Sequence, residues 1–298
     1  MEDYIIRGMA AGTEIRFVAA YSRQVVEKAR QIHNTTPVCT AALGRLLTGG
    51  ALMGSMCKNE GDVITLKIEG DGPAKKLTVT TDAMSNVKGI IYNPQVDLPL
   101  KANGHLDVGG ALGKGLLTVI HDEGLSEPYV GQTQLVSGEI GDDLTYYYAE
   151  SEQIPTSVGL GVLVDRDYTV KHAGGFIIQL LPFASEETIT KLEESLSKVQ
   201  SVTNYFNQGM TPEDMMRSIL GEEVFGVDIN LEEQRIPTQY KCNCSRERVT
   251  KALISIGKTE LKSMIDDGEP VNLHCDFCNT DYTFSIPEIQ YIYDNAKL

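Results

Sequence analysis

Nothing in this 298-residue sequence approaches the roughly 20 uninterrupted apolar residues that span a bilayer, which argues against a helical membrane protein. Positive charge is scarce: 26 Lys and Arg stand against 41 Asp and Glu, a formal net charge of −15. Phosphate contacts need clustered positive charge, so neither nucleic acid nor an anionic membrane is an expected partner. A basic, apolar leader is missing too, since Met1-Glu2-Asp3-Tyr4 is acidic and runs directly into a strand-like segment. The expectation is a soluble, cytoplasmic protein. Between Cys57 and Cys242 there is no cysteine at all. A secreted disulfide scaffold would spread its bridges through the fold, so six cysteines placed this way point to a local metal or redox site.

What is present reads as globular. The apolar share of 42% is ordinary, and the length suggests two domains. Ile64, Leu66 and Ile68 alternate with Thr65, Lys67 and Glu69, the period of a half-buried strand. Further strand-like runs fall at 77–81, 87–92, 116–120, 144–148, 159–164 and 176–181, separated by Gly, Pro, Asn and Asp clusters. Ser22 is placed to cap a short helix, and Pro37 opens a small-residue helix reaching about Cys57. The glycines of that second helix weaken its propensity but permit close packing. Helix and strand do not alternate regularly afterwards, so the class is α+β rather than a doubly wound sheet.

The composition changes after Pro182. From Ser185 a helix carries Ile189, Leu192, Leu196, Val199 and Phe206, and ends at Gly209. Thr211-Pro212-Glu213-Asp214 starts another, with a cap, Pro at the first position and acids in the first turn. The organisation expected is a mixed α/β core domain over 1–182, an amphipathic helical linker over 183–231 and a small C-terminal zinc-binding domain over 232–298. About 65 residues bury too little apolar surface to be stable without a metal, disulfides or a partner. Ser285-Ile286-Pro287-Glu288 is a capping box for the last helix.

Cys242-x-Cys244 and Cys275-x-x-Cys278 carry the strongest chemical signal. Two close pairs separated by a helical excursion can place four thiolates around one ion, and zinc is the natural occupant of a four-sulfur site. One reading is an inert structural ribbon whose folding energy resides in the metal. Another adds thiol chemistry, because each pair is close enough to oxidise internally and so eject the metal. A thiol–disulfide oxidoreductase using Cys275 and Cys278 is a third, but the strand-CxxC-helix context is lacking. Cys39 and Cys57 read as small core residues, and His274 as a bystander beside a site that four sulfurs already complete. The stretch 108–115 lacks the first glycine and the Ser/Thr of a phosphate loop, and reads as a glycine-rich turn. No catalytic residue, and no enzyme, is expected.

The Cys-x-Cys and Cys-x-x-Cys pairs at the end of an acidic chain of about 300 residues resemble the heat-shock protein 33 family of redox-regulated bacterial chaperonins. The resemblance extends over the whole chain. It includes Ile68-Glu69-Gly70-Asp71-Gly72-Pro73, Tyr92-Asn93-Pro94, Leu106-Asp107-Val108, Val136-Ser137-Gly138-Glu139, the phrase from Tyr146 to Gln153 and that from Ala173 to Gln179; the linker match rests mainly on Leu220-Gly221. It implies an ATP-independent holdase that binds unfolding proteins under oxidative stress. The reduced form would hold one Zn2+ through Cys242, Cys244, Cys275 and Cys278. Oxidation would form Cys242–Cys244 and Cys275–Cys278 disulfides, release zinc and unfold the zinc domain and linker. Ile189, Leu192, Leu196, Val199, Met215, Met216 and Ile219 would then become client surface, and the oxidised form would be a homodimer.

Overall fold

The computed structural model describes residues 1–295; the last three residues of the expected 232–298 domain lie outside them. The chain divides into two compact units, Met1–Lys241 and Cys242–Leu298. The α+β class holds.

The first unit begins with an antiparallel pair, β1 (Tyr4–Ala10) and β2 (Ile15–Tyr21), followed by α1 (Arg23–His33) and α2 (Pro37–Gly54). A meander of β3 (Val63–Gly70), β4 (Lys76–Asp82) and β5 (Asn86–Ile91) follows, then α3 (Val108–Leu112), β6 (Gly115–Asp122) and β7 (Tyr129–Gln134). Next come α4 (Gly141–Tyr147), β8 (Thr156–Val164) and β9 (Val170–Leu180). The helices α5 (Glu186–Leu196), α6 (Val202–Asn207), α7 (Pro212–Leu220) and α8 (Glu222–Phe225) precede three two-residue strands, β10 (Asn230–Leu231), β11 (Ile236–Pro237) and β12 (Gln239–Tyr240). One sheet has the order β10-β1-β2-β9-β8, with β11 also on β1; the other runs β12-β5-β4-β3-β6-β7. Residues 236–240 therefore extend the first unit's sheets, and the compact C-terminal unit starts at Cys242 rather than at 232.

Helix α2 is the centre of the first unit, packed against strands of both sheets and buried from Val38 to Gly54 apart from half-buried Arg45. Its glycines make that possible. A Cβ on Gly44 would lie 2.5 Å from Val26 Cγ1 and 2.9 Å from Val162 Cγ2, and one on Gly50 would lie 2.9 Å from Val79 Cγ1.

Three local expectations are corrected. Residues 144–148 form helix α4 and the turn after it, not a strand. The Asp143 carboxylate accepts the backbone N–H groups of Val136, Ser137, Gly138 and Ile140 at 2.8–3.2 Å, which fixes the helix start, and Leu144, Tyr147 and Tyr148 are buried at helical spacing. The helix expected from Ser185 to Gly209 breaks into α5 and α6, because Lys198 and Val199 bond back only three residues, to Ser195 and Leu196, and unwind the chain. Ser22 does not cap α1. Its hydroxyl pairs with Thr48 at 2.7 Å, and the Asp3 carboxylate accepts the Val25 N–H at 2.7 Å instead. The glycine-rich stretch before β6 also contains a short helix, α3, capped by Asp107, whose Oδ1 accepts the Gly110 N–H at 2.9 Å.

The strands β1, β2 and β9 are buried on both faces. Ile5, Val18, Ala20 and Ile177 join the core around α2, while Tyr4, Ile6, Ile15, Phe17, Tyr21, Phe176 and Ile178 pack in a second core with α5–α7.

The second unit contains α9 (Arg246–Ser255), α10 (Lys258–Asp267), the hairpin β13 (Val271–Cys275) and β14 (Thr280–Phe284), and α11 (Ile286–Asn295). Its core is small: Leu253, Leu261, Phe284, Ile289 and Ile292, with partly buried side chains around them.

Candidate metal centre

After β12 the chain runs without regular structure through residues 241–245, carrying Cys242 and Cys244. Ser245 stops that run by accepting the Arg248 N–H at 3.2 Å, which caps α9. The second pair sits on the β13–β14 hairpin. Cys278 and Asn279 both donate their N–H to the Cys275 carbonyl, at 3.2 and 2.8 Å, and Asn279 takes the left-handed backbone (φ 54°) that closes the knuckle. The Arg246 guanidinium lies 4.3 Å over the Phe284 ring and donates to Glu288 at 2.5 Å, fastening α9 to β14 and α11. Of the box expected at Ser285, one half forms: the Glu288 carboxylate accepts the Ser285 N–H at 2.8 Å, and the Ser285 hydroxyl donates to the same carboxylate oxygen at 2.8 Å.

These elements gather the sulfurs of Cys242, Cys244, Cys275 and Cys278 within 4.8 Å of one another. Cys242 and Cys275 are 3.7 Å apart, and Cys244 and Cys278 are 3.3 Å apart. Four thiolates about 2.3 Å from one ion lie about 3.8 Å from each other in a tetrahedron, so the donor set fits a zinc-sized cation. Burial, joined by the neighbouring sulfurs, pushes the Cys242 thiol up to about 12. Burial also raises Cys278, but the Thr280 hydroxyl, Cys244 and Cys275 outweigh it and bring that thiol down to about 7. A cluster that holds protons in this way must release them to bind a metal, and a bound cation supplies the charge that keeps all four as thiolates.

Two hydroxyls touch the cluster that sequence reasoning did not single out. Tyr282 donates to Cys244 Sγ at 3.2 Å, and Thr280 Oγ1 lies 3.2 Å from Cys278 Sγ. They stand two residues apart on one face of β14, and that alternation just after Cys278 was the available signal. His274 takes no part. Its Nδ1 pairs with Asp281 at 2.7 Å.

The other expected residues lie elsewhere. Cys39 is fully buried; Cys57, beyond the end of α2, is half-buried against the same core. Leu192, Met215, Met216 and Ile219 are buried, and Ile189, Leu196 and Val199 half-buried, on the α5–α7 segment. That segment is fastened to β1 by polar contacts. Tyr4 donates to Glu213 Oε2 at 2.8 Å, and Arg235 donates to Glu213 Oε1 at 2.8 Å while its guanidinium lies 4.3 Å over the Tyr4 ring.

A mixed α+β unit followed by a small unit gathered on four sulfurs defines a thiol-cluster protein whose lesser part carries a donor set able to hold a metal ion. Comparison with known proteins narrows this class. The model of the family described as Hsp33 protein matches residues 3–285. A 33 kDa chaperonin of Lachnoclostridium phytofermentans is 58% identical over 292 residues, 98% of each chain. Another, of Clostridium novyi, is 46% identical over 298 residues and covers each chain completely. The crystal structure of the 33 kDa chaperonin (heat shock protein 33 homolog) of Thermotoga maritima shares the fold at a TM-score of 0.88. It is 38% identical, over 99% of this chain and 98% of that one. The chain belongs to the Hsp33 family, a family of chaperones rather than enzymes. Among the described residues no helix is long and apolar enough to cross a membrane.

Proposed function

We propose that this protein is a redox-gated, ATP-independent holdase of the cytoplasm. In the reduced state Cys242, Cys244, Cys275 and Cys278 hold one Zn2+ per chain. When bound, the ion supplies the charge that keeps four thiolates together and completes a unit in which, among the described residues, five apolar side chains are buried. Peroxide removes two electrons from each pair. One thiolate attacks the O–O bond, forming a sulfenic acid and releasing hydroxide; its partner then displaces a second hydroxide to form the disulfide. Cys242 pairs with Cys244 and Cys275 with Cys278, and the unit loses the ligand set on which its fold rests.

The switch in the unit from Cys242 onward then acts on the segment over 183–231, and the core over 1–182 stays folded. The freed segment offers Leu192, Met215, Met216 and Ile219, with Ile189, Leu196 and Val199 beside them, to unfolding clients, and two oxidised chains associate as a homodimer. Methionines suit such a surface because their flexible, polarizable side chains adapt to varied partners. The observation that carries this reading is the gathering of four sulfurs within 4.8 Å in the smaller unit.

The test adds peroxide with mild heating and follows zinc release, free thiols, oligomeric state and suppression of a client's aggregation. Two disulfides, released zinc and a gain in suppression are expected. Zinc retention without that gain would sink the switch.

A further inference from the structure

Strand β14 does more than close the knuckle. Its Tyr282 hydroxyl donates to Cys244 Sγ, and the Cys278 thiol donates to Thr280 Oγ1, each at 3.2 Å; once Cys278 is a thiolate the second contact reverses and the Thr280 hydroxyl donates. Each motif thus has one sulfur supported by a side-chain hydroxyl. The two supported sulfurs are also the pair that face each other at 3.3 Å. Alternation along the strand explains the arrangement: residues 280 and 282 point to one face, and pairing of Cys275 with Thr280 and of Leu273 with Tyr282 sets that face beside the cluster.

A hydroxyl that donates to a thiolate draws on the lone pair with which sulfur attacks an O–O bond. It also spreads the charge of a four-thiolate site, which exceeds that of a divalent ion by two. We propose that Tyr282 and Thr280 are positioning residues that set the oxidation threshold of the centre, shielding Cys244 and Cys278 so that peroxide reacts first at Cys242 or Cys275. The inference rests on the redox reading above. The chemistry is the same two-electron step, with hydroxide leaving from peroxide and then from the sulfenic acid. The hydroxyls alter only how readily the first S–O bond forms.

The test uses the full chain loaded with zinc, as wild type, Tyr282→Phe, Thr280→Val and, as a control, Tyr291→Phe, whose ring is 69% exposed on α11. Zinc release is followed with a chromophoric chelator, with and without peroxide. Cobalt-loaded chains report the sulfur-to-metal charge-transfer band. Loss of either hydroxyl is expected to speed peroxide-driven release roughly fivefold, the scale of one modest hydrogen bond, and to move the band to lower energy. Tyr291→Phe is expected to match wild type. Unchanged rates with an unmoved band would overturn the proposal. Rapid zinc loss without peroxide from both variants would overturn it too, by assigning the hydroxyls to metal retention alone. A wild-type chain that keeps its zinc in peroxide overturns the redox reading instead, and the cobalt band still decides the hydroxyl contacts.

Discussion

Replacing Tyr4 by Phe removes one oxygen atom and tests how the α5–α7 segment is fastened. The lost atom donates at 2.8 Å to Glu213 Oε2, on a residue only 8% exposed. Burial raises the Glu213 carboxyl, but the Tyr4 hydroxyl and Arg235 outweigh it and hold the acid below its usual range, so the acceptor is charged at neutral pH. Hydrogen bonds to charged groups contribute about 1.5–3 kcal/mol. Arg235 still reaches Oε1 in the variant, so the carboxylate is not orphaned and the lower end applies. A loss of about 1.5 kcal/mol raises the undocked population of the segment roughly tenfold. Hydrogen exchange should show this as roughly tenfold faster exchange of amides in α7, with those of α2 and β4 unchanged. Exchange in α7 at the wild-type rate would refute the reasoning. So would an equal acceleration throughout the first unit, which would make the bond part of global stability.

Chelating the metal from the reduced chain should melt the second unit and leave the core around α2 folded. Circular dichroism should lose at least the signal of α9, α10 and α11, ten residues each, while exchange protection in α2 persists; loss of α2 protection would contradict the division into two units. Asp3 gives a pH signature: burial raises its carboxyl from 3.8 to about 6, against the pull of the Val25 N–H and Arg23. Its stabilising contribution is therefore present below pH 3.8 and lost as pH rises through 6. Asp3→Asn should gain up to about 3 kcal/mol over wild type at pH 8 and nothing below pH 4, measured by urea unfolding; a pH-independent gap would refute it. Gly44→Ala should lower the unfolding free energy by about 1–3 kcal/mol, read from urea unfolding, because the new methyl meets Val26 and Val162. A stabilised variant would show that helix propensity, not close packing, governs that position.

Legibility in the sequence follows from how local each signal is. The second unit reads well because its signals are local: two close cysteine pairs, and Ser285 with Glu288 three residues on, whose carboxylate accepts the Ser285 N–H. Strand β2 (Ile-Arg-Phe-Val-Ala-Ala-Tyr) is missed because a search for alternating polarity finds none, and both of its faces are buried. Residues 144–148 mislead in the opposite way. Three tyrosines suggest a strand by propensity, but a carboxylate at Asp143 that gathers four backbone donors overrides it. The four cysteines are legible from spacing alone, whereas Tyr282 and Thr280 need the register of β13 with β14 to be placed.

The helical segment shows the limit of pattern most clearly. An amphipathic repeat at Leu192, Met215, Met216 and Ile219 says that a face is covered, and leaves open by what. The cover is the outer face of β1, β2 and β9, whose inner face already lies on the core around α2. Those strands are apolar on both sides because each side has its own helix layer. Undocking α5–α7 therefore bares two complementary surfaces at once: the helix face, and a sheet face formed by Ile6, Ile15, Phe17, Phe176 and Ile178. The proposed client surface is larger than the helices alone would offer, and part of it belongs to a sheet whose inner face stays anchored on α2. A holdase needs both properties, an adaptable strip and a rigid floor, and the packing of one segment on one sheet provides them together.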